Sequence, residues 1–170
     1  ENEYPFILDQ NNIANLKRHI NKNQSLIIGA IRKEQNRYYN SLFLINKNEY
    51  TFFDKKILVP FGEFLPFRKY LSFLNPIAGT IDFSKGHSKR LIKIDKNISF
   101  IPAICYEIIF FNNLIHKYNN NVSLMINITN DAWFGKFSGP KQHFYLSRIR
   151  STEFNKYLIR VSNNGISSVI

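Results

Sequence analysis

The sequence predicts an α/β layered domain. Strand-like and helix-like segments alternate along its 170 residues, as in a sheet covered by helices. Val122 to Ile128 is a nearly continuous apolar run rather than an alternating one, which marks a sheet covered on both faces. Length and composition agree. With 44% hydrophobic and 15% aromatic residues, the chain can bury one real core and does not have a disordered composition.

Each element has its own local reason. Asn11 to Asn23 reads as a helix because Ile13, Leu16 and Ile20 recur at helical spacing. Ser25 to Ile31 is short, apolar and β-branched, so it reads as a buried strand. Asn40 to Ile45 and Tyr50 to Phe53 read as the next two strands. Leu58 to Pro76 is punctuated by Pro60, Gly62, Pro66 and Pro76, which predicts loop with a short helical piece. Ile98 to Ile104 reads as a strand, Tyr106 to Tyr118 as a helix, and Val122 to Ile128 as a strand. Lys141 to Tyr157 reads as a helix, with Phe144, Ser147, Arg148 and Ser151 on one side and Leu146, Ile149 and Phe154 on another. Leu158 to Ser162 and Ile166 to Ile170 close the chain as strands around the turn Asn163-Asn164-Gly165. No internal repeat or low-complexity linker interrupts the series.

Charge and cysteine content restrict the function. The net charge is +11, from 23 Lys plus Arg against 12 Asp plus Glu. Such a balance suits an anionic partner or a solvated basic surface. The basic residues are spread, as in Lys17 to Lys33 and Lys85 to Lys96, and no nucleic-acid-binding motif accompanies them. A single cysteine excludes an internal disulfide framework. No stretch reaches the roughly 18 apolar residues needed to span a bilayer. The chain starts Glu-Asn-Glu-Tyr-Pro without methionine and stops on a strand-like segment. Both ends therefore read as cut from a longer parent.

That cysteine, Cys105, ends the apolar run Ile98 to Ile104 and precedes Tyr106 and Glu107. A strand that stops in a thiol can present it at the sheet edge, and a following helix N-terminus favours thiolate over thiol. Read alone, a lone cysteine such as Cys105 is more often a small buried hydrophobe than a nucleophile. A nucleophilic thiol needs a base or a cation nearby. Of the four histidines, His19 and His116 lie in helix-like contexts, His87 in a polar loop and His143 at a helix start. None has a neighbourhood that marks it as a partner. Lys55, just after a strand and before a Pro-Gly-punctuated loop, fits better. Glu1 stands four residues before Pro5.

Five motifs occur in order: Lys55-x-x-Leu58-Val59-Pro60-Phe61-Gly62-Glu63, Ile104-Cys105-Tyr106-Glu107, Asn130-Asp131-Ala132-Trp133-Phe134-Gly135, Gly139-Pro140-x-Gln142-His143 and Ser162-Asn163-Asn164-Gly165-Ile166. Together they resemble the carbon–nitrogen hydrolase (nitrilase) superfamily. Within it they look like the periplasmic catalytic domain of its apolipoprotein N-acyltransferase branch. The resemblance covers nearly the whole chain. It implies a four-layer α-β-β-α sandwich, truncated at both ends, over residues 1–170, with the transmembrane part of the parent absent. It also implies a Glu-Lys-Cys triad. Glu1 matches the general base, with Glu3 competing and the spacing to Pro5 favouring Glu1. Lys55 matches the cation for thiolate and oxyanion, with Lys56 competing and the spacing to Pro60 favouring Lys55. Cys105 matches the nucleophile. Glu63, Tyr106 and Glu107 match positions that shape the active site, or they pin and pack locally.

The resemblance further implies acyl transfer from a phospholipid to a diacylglyceryl-apolipoprotein through a Cys thioester, with no cofactor, metal or nucleic-acid partner. It places the parent in a bacterial inner membrane as a multi-pass protein, with this domain on the periplasmic face. Many soluble amidases of the superfamily follow Cys-Tyr with Asp-x-Arg-Phe-Pro-Glu, whereas Glu107-Ile108-Ile109-Phe110-Phe111 stands here. That departure sides with the lipid-handling branch against a soluble nitrilase-type amidase. Phe61, Phe64, Leu65, Phe67, Tyr70, Leu71, Phe73 and Leu74 crowd a proline-rich loop with Arg68 and Lys69. The loop either folds onto the core or dips into a membrane interface. Phe110 and Phe111 could line the same acyl-chain entrance.

Overall fold

The computed structural model describes residues 7–71, 73, 81–110, 122–135 and 137–170. Helix α1 (Gln10–His19) leads into three strands, β1 (Ser25–Glu34), β2 (Arg37–Asn46) and β3 (Tyr50–Asp54). These form one antiparallel sheet in the order β1-β2-β3. A second sheet has the order β4-β5-β6-β7-β8, from Ile92–Lys93, Ser99–Ile104, Leu124–Asn130, Tyr157–Asn163 and Ser168–Val169. Its centre, β5-β6-β7, is parallel, and its two edge pairs are antiparallel. Helix α2 (Gly139–Phe154) lies between β6 and β7 in the chain.

The two sheets pack face to face. Alternate residues of β2 divide between two cores, as a strand covered on both faces requires. Leu42 and Leu44 join Phe53, Phe100, Ile104, Ile126 and Ile128 between the sheets. Phe43 and Ile45 point the other way and join Ile13 and Ile20 under α1. On the far side of the second sheet, Ile101, Ala103, Met125 and Leu158 form a third core with Phe154 of α2 packed against it. The layers are therefore α-β-β-α, the predicted fold class.

Element boundaries follow local chemistry. Asp9 caps α1 by accepting from Asn12 N at 2.7 Å. The helix ends before the predicted Asn23 because Ile20 is already extended. Helix α2 starts at Gly139, two residues earlier than predicted, with Pro140 in its first turn, where no N–H is needed. It stops at Phe154 because Asn155 turns left-handed. The predicted helix Tyr106–Tyr118 begins instead as a 3-10 turn over Cys105–Ile108. Residues 111–121 lie outside the described residues. Strand β4 is two residues long, and its brevity has a cause. It pairs with Ser99 and Phe100 only, because Pro102 further along β5 has no N–H to offer. The Pro102 carbonyl is taken by the Arg90 guanidinium at 2.8 Å. No described helix is long and apolar enough to cross a membrane.

Candidate active site

The carboxyl end of β5 builds the site. Cys105 is the first residue after that strand and has φ of 51°. A left-handed backbone at a residue with a Cβ costs energy and persists only when its surroundings impose it. Here the surroundings are Glu107 and Asn127. Glu107 is fully buried, at 0% exposure. Its carboxylate accepts from Ile104 N at 2.9 Å, so the turn is tied back to its own strand. It also accepts from Lys56 N at 2.8 Å and Ile57 N at 3.1 Å. Arg90 closes the arrangement with two bonds, at 2.9 and 2.6 Å, and its guanidinium lies 4.6 Å from the centre of the Phe53 ring. Glu107 is thus the bolt between the Cys105 turn and the segment that carries Lys55.

Lys55 follows β3 directly and is 1% exposed. A buried ammonium requires a counter-charge, and Glu63 supplies it at 2.7 Å. Glu63 is in turn held by Asn40 Nδ2 at 2.9 Å and Val59 N at 2.8 Å. The Lys55 backbone is fixed on both sides, donating to the Asn40 carbonyl and accepting from Gly86 N, each at 2.8 Å. Gly86 is obligatory there: a Cβ would stand 2.2 Å from the Asp54 carbonyl oxygen. The neighbouring Lys56 is only half-buried. Burial, then the charge of Arg90, lowers its pKa, while Glu107 acts in the opposite direction. Of the two competing cations, Lys55 is the one held in a buried ion pair.

A second buried network had no sequence prediction. Asp131 follows β6, His143 lies on α2 and Arg160 on β7. Asp131 accepts from Arg160 Nη2 at 2.8 Å and from Ser162 Oγ at 2.9 Å, and it pairs with His143 Nδ1 at 2.9 Å. Three of the five motifs therefore meet on one carboxylate. Gly165 presses against it so closely that a Cβ would lie 2.2 Å from its Oδ2. The His143 ring packs on Tyr106, with centres 5.8 Å apart, and on Phe134 at 5.6 Å. The buried face of α2 is accordingly His143, Ser147 and Ser151, a polar stripe at spacing four. That stripe, with Arg160 and Asn127 inside apolar strands, was the available signal. A polar residue embedded in an apolar run must find a buried partner.

Burial alone would push the Asp131 carboxyl up. The His143 hydrogen bond, the Arg160 charge and the Ser162 hydroxyl outweigh it and hold the pKa at about 2. This is below the value near 3.9 of an unfolded chain, so the stabilisation is complete above about pH 4. It disappears as the pH falls towards 2. Thermal unfolding midpoints measured across that window are expected to fall steeply. An Asp131→Asn variant, less stable throughout, is expected to lose its share of that slope.

Of the remaining predicted residues, Glu1 and its competitor Glu3 lie outside the described residues. Tyr106 is half-buried and also faces Phe110, at 5.7 Å between ring centres. In the proline-rich loop, Leu65 is buried and Phe64 half-buried, while Phe61 and Phe67 are exposed with φ of 64° and 51°. The loop both anchors on the core and displays aromatic rings: Phe67 is 78% exposed and Tyr70 82%. Arg68 is engaged with Asp82 through Nε at 2.8 Å, whereas Lys69 is exposed. Leu74 falls outside the described residues. Among the described residues, no group of three or more His, Cys, Asp and Glu side chains could hold a metal ion.

The carbon-nitrogen hydrolase family model matches residues 2–170. The chain belongs to the carbon–nitrogen hydrolase family. Two curated relatives are both named apolipoprotein N-acyltransferase. The protein from Rickettsia typhi is 41% identical over 156 residues, covering 87% of this chain and 31% of that protein. The protein from Allorhizobium ampelinum is 39% identical over 184 residues, covering 100% of this chain and 34% of that protein. The chain thus spans about a third of these relatives' length. Among solved structures, glutamine-dependent NAD+ synthetase from Acinetobacter baumannii superposes with a TM-score of 0.66 at 18% identity, covering 91% of this chain and 26% of that one. An amidase from Nesterenkonia sp. gives 0.63 at 14% identity, covering 94% of this chain and 57% of that one. These structural likenesses show a shared fold.

Proposed function

We propose that the chain is the catalytic domain of an apolipoprotein N-acyltransferase, part of a multi-pass parent in the bacterial inner membrane. In this reading it moves an acyl chain from a phospholipid to the N-terminal amine of a diacylglyceryl-apolipoprotein. The observation that carries the reading is Cys105. It sits in a strained turn bolted by Glu107 to the Lys55 segment, in a chain 35–42% identical to enzymes of that name.

The chemistry runs in two halves. The Cys105 thiolate attacks the ester carbonyl carbon of the phospholipid, and Lys55 faces the oxyanion that develops. The ester C–O bond breaks, and the lysophospholipid alkoxide takes the proton that Glu1, as general base, removed from the thiol. The acyl group is left on sulfur. The lipoprotein amine then attacks the thioester and gives its proton to Glu1. The C–S bond breaks, releasing the amide and the thiolate. Glu63 holds Lys55 in place by its charge, and Tyr106 and Glu107 shape the turn.

The test is mass spectrometry of the full-length protein incubated with phospholipid. An acyl group on Cys105, released by hydroxylamine and absent in Cys105→Ser, is expected. No adduct on the wild-type protein would overturn the thioester route. The aromatic rings belong to the same reading: Phe61, the half-buried Phe64 and Phe67 of the loop, and Phe110 after the Cys105 turn, face the lipid interface, with Lys69 beside anionic headgroups. Phe64→Ser with Phe67→Ser in the full-length enzyme is expected to reduce transfer from vesicles by about tenfold, on the order of 1 kcal/mol or more of lost interfacial burial. Undiminished transfer would leave the rings without that role.

A further inference from the structure

A chain of buried contacts leads from the nucleophile's own peptide to a second cation. Asn127, in the middle of β6, is fully buried. Its Nδ2 donates to the carbonyls of Ala103 at 3.1 Å and Cys105 at 3.3 Å, on either side of Ile104. Its Oδ1 accepts from Arg160 Nη1. That bond fixes the orientation of the amide, because only the oxygen can face a guanidinium. Arg160 is itself held by Asp131 Oδ2 at 2.8 Å and by Ser147 Oγ, to which Nη1 donates at 3.2 Å. Asp131 pairs with His143, and the His143 ring packs on Tyr106, the residue after the nucleophile. The contacts close a loop around Cys105, gripping its carbonyl from one side and its neighbour's ring from the other.

We propose that Arg160, acting through Asn127, is a positioning residue for Cys105 that holds the strained peptide of the turn and with it the thiol. The inference rests on the reading of Cys105 as nucleophile. Three features support it. First, β6 and β7 run parallel with Asn127 opposite Arg160, so the sheet register itself delivers the pair to the end of β5. Second, an arginine and an asparagine inside apolar strands are costly to bury, and packing alone would have been served by aliphatic residues. Third, burial pushes the Arg160 guanidinium's pKa down, while the charges of Asp131 and of Cys105 pull it back up. That attraction is mutual: a guanidinium favoured by a thiolate favours the thiolate in return.

The role separates from simple packing by the pH dependence of thiol reactivity. The measurement is iodoacetamide labelling of the Cys105 peptide in the full-length protein, read by mass spectrometry from pH 5 to 10. Wild-type Cys105 is expected to label faster at neutral pH than the same thiol in urea. Asn127→Ser keeps the Arg160–Asp131 ion pair and loses the grip on the carbonyl. It is expected to slow neutral labelling about tenfold, with the rate restored at high pH. Arg160→Met is expected to do the same or more, and Arg160→Lys to recover part of the loss. If Arg160→Met unfolds, its labelling matches the urea profile and Asn127→Ser decides. Asn127→Ser and Arg160→Lys profiles that coincide with wild type would overturn the positioning role. A wild-type thiol no more reactive than in urea would instead sink the nucleophile reading on which it stands.

Discussion

Replacing Glu107 with alanine is expected to cost the domain about 3–5 kcal/mol, the usual penalty for breaking a buried ion pair from one side. The reason lies in what the carboxylate leaves behind. Arg90 would remain a buried cation, and the N–H groups of Ile104, Lys56 and Ile57 would lose their acceptor together. For a domain of this size that loss corresponds to a fall in Tm of roughly 6–20 °C. A double variant separates the charge from the hydrogen bonds. In Glu107→Leu with Arg90→Met no buried charge is stranded, so at least half of the stability is expected to return. The three N–H groups still lack their acceptor, so the turn stays loose and acyl transfer stays low. Thermal unfolding of both variants, alongside transfer activity, distinguishes the two effects. A Glu107→Ala protein that melts with the wild type would remove Glu107 from this role.

The fold was legible where pattern and burial coincide. The run through Leu42 to Ile45 reads as a strand, and its unbroken apolar character reads as two-sided burial because each alternate residue enters a different core. Strand β4 was not legible, because two residues carry no period and its length is set by a proline ten residues later in the chain. The 3-10 turn over Cys105–Ile108 was not legible within the helix expected over Tyr106 to Tyr118, most of which lies outside the described residues. There a single carboxylate, not periodicity, sets the backbone.

The site divides in the same way. Cys105 and Lys55 could be picked out because strand ends and motif spacing mark them. The spacing to Pro60 favoured Lys55 over Lys56, but that Lys55 is the buried one comes from the fold, since adjacent residues at a strand end face opposite ways. His143 was set aside for want of a telling neighbourhood. Its neighbourhood is Asp131 and Arg160, 12 and 17 residues away in sequence, and only the parallel crossing of β6, α2 and β7 brings them together.

Lys55→Met is expected to lower acyl-thioester formation by about 10²–10³-fold, the usual loss when one preorganised donor to a developing oxyanion is removed. Methionine keeps the length and apolar stem of lysine, so the comparison isolates the charge. Glu63 keeps its bonds from Asn40 and Val59 but loses its counter-charge, so the variant is expected to fold with a lowered Tm and is assayed below it. Lys56→Met is the control. Its ammonium is half-buried and sits among Arg90 and Glu107 rather than opposite Glu63, so transfer is expected to change by no more than a few-fold. Arginine at position 55 is not a rescue, because a planar guanidinium does not occupy the space of a compact ammonium in a buried site. Single-turnover measurement of the acyl adduct on Cys105 reads all three variants. Equal losses at positions 55 and 56 would mean that the loop as a whole, not one buried cation, supports the reaction.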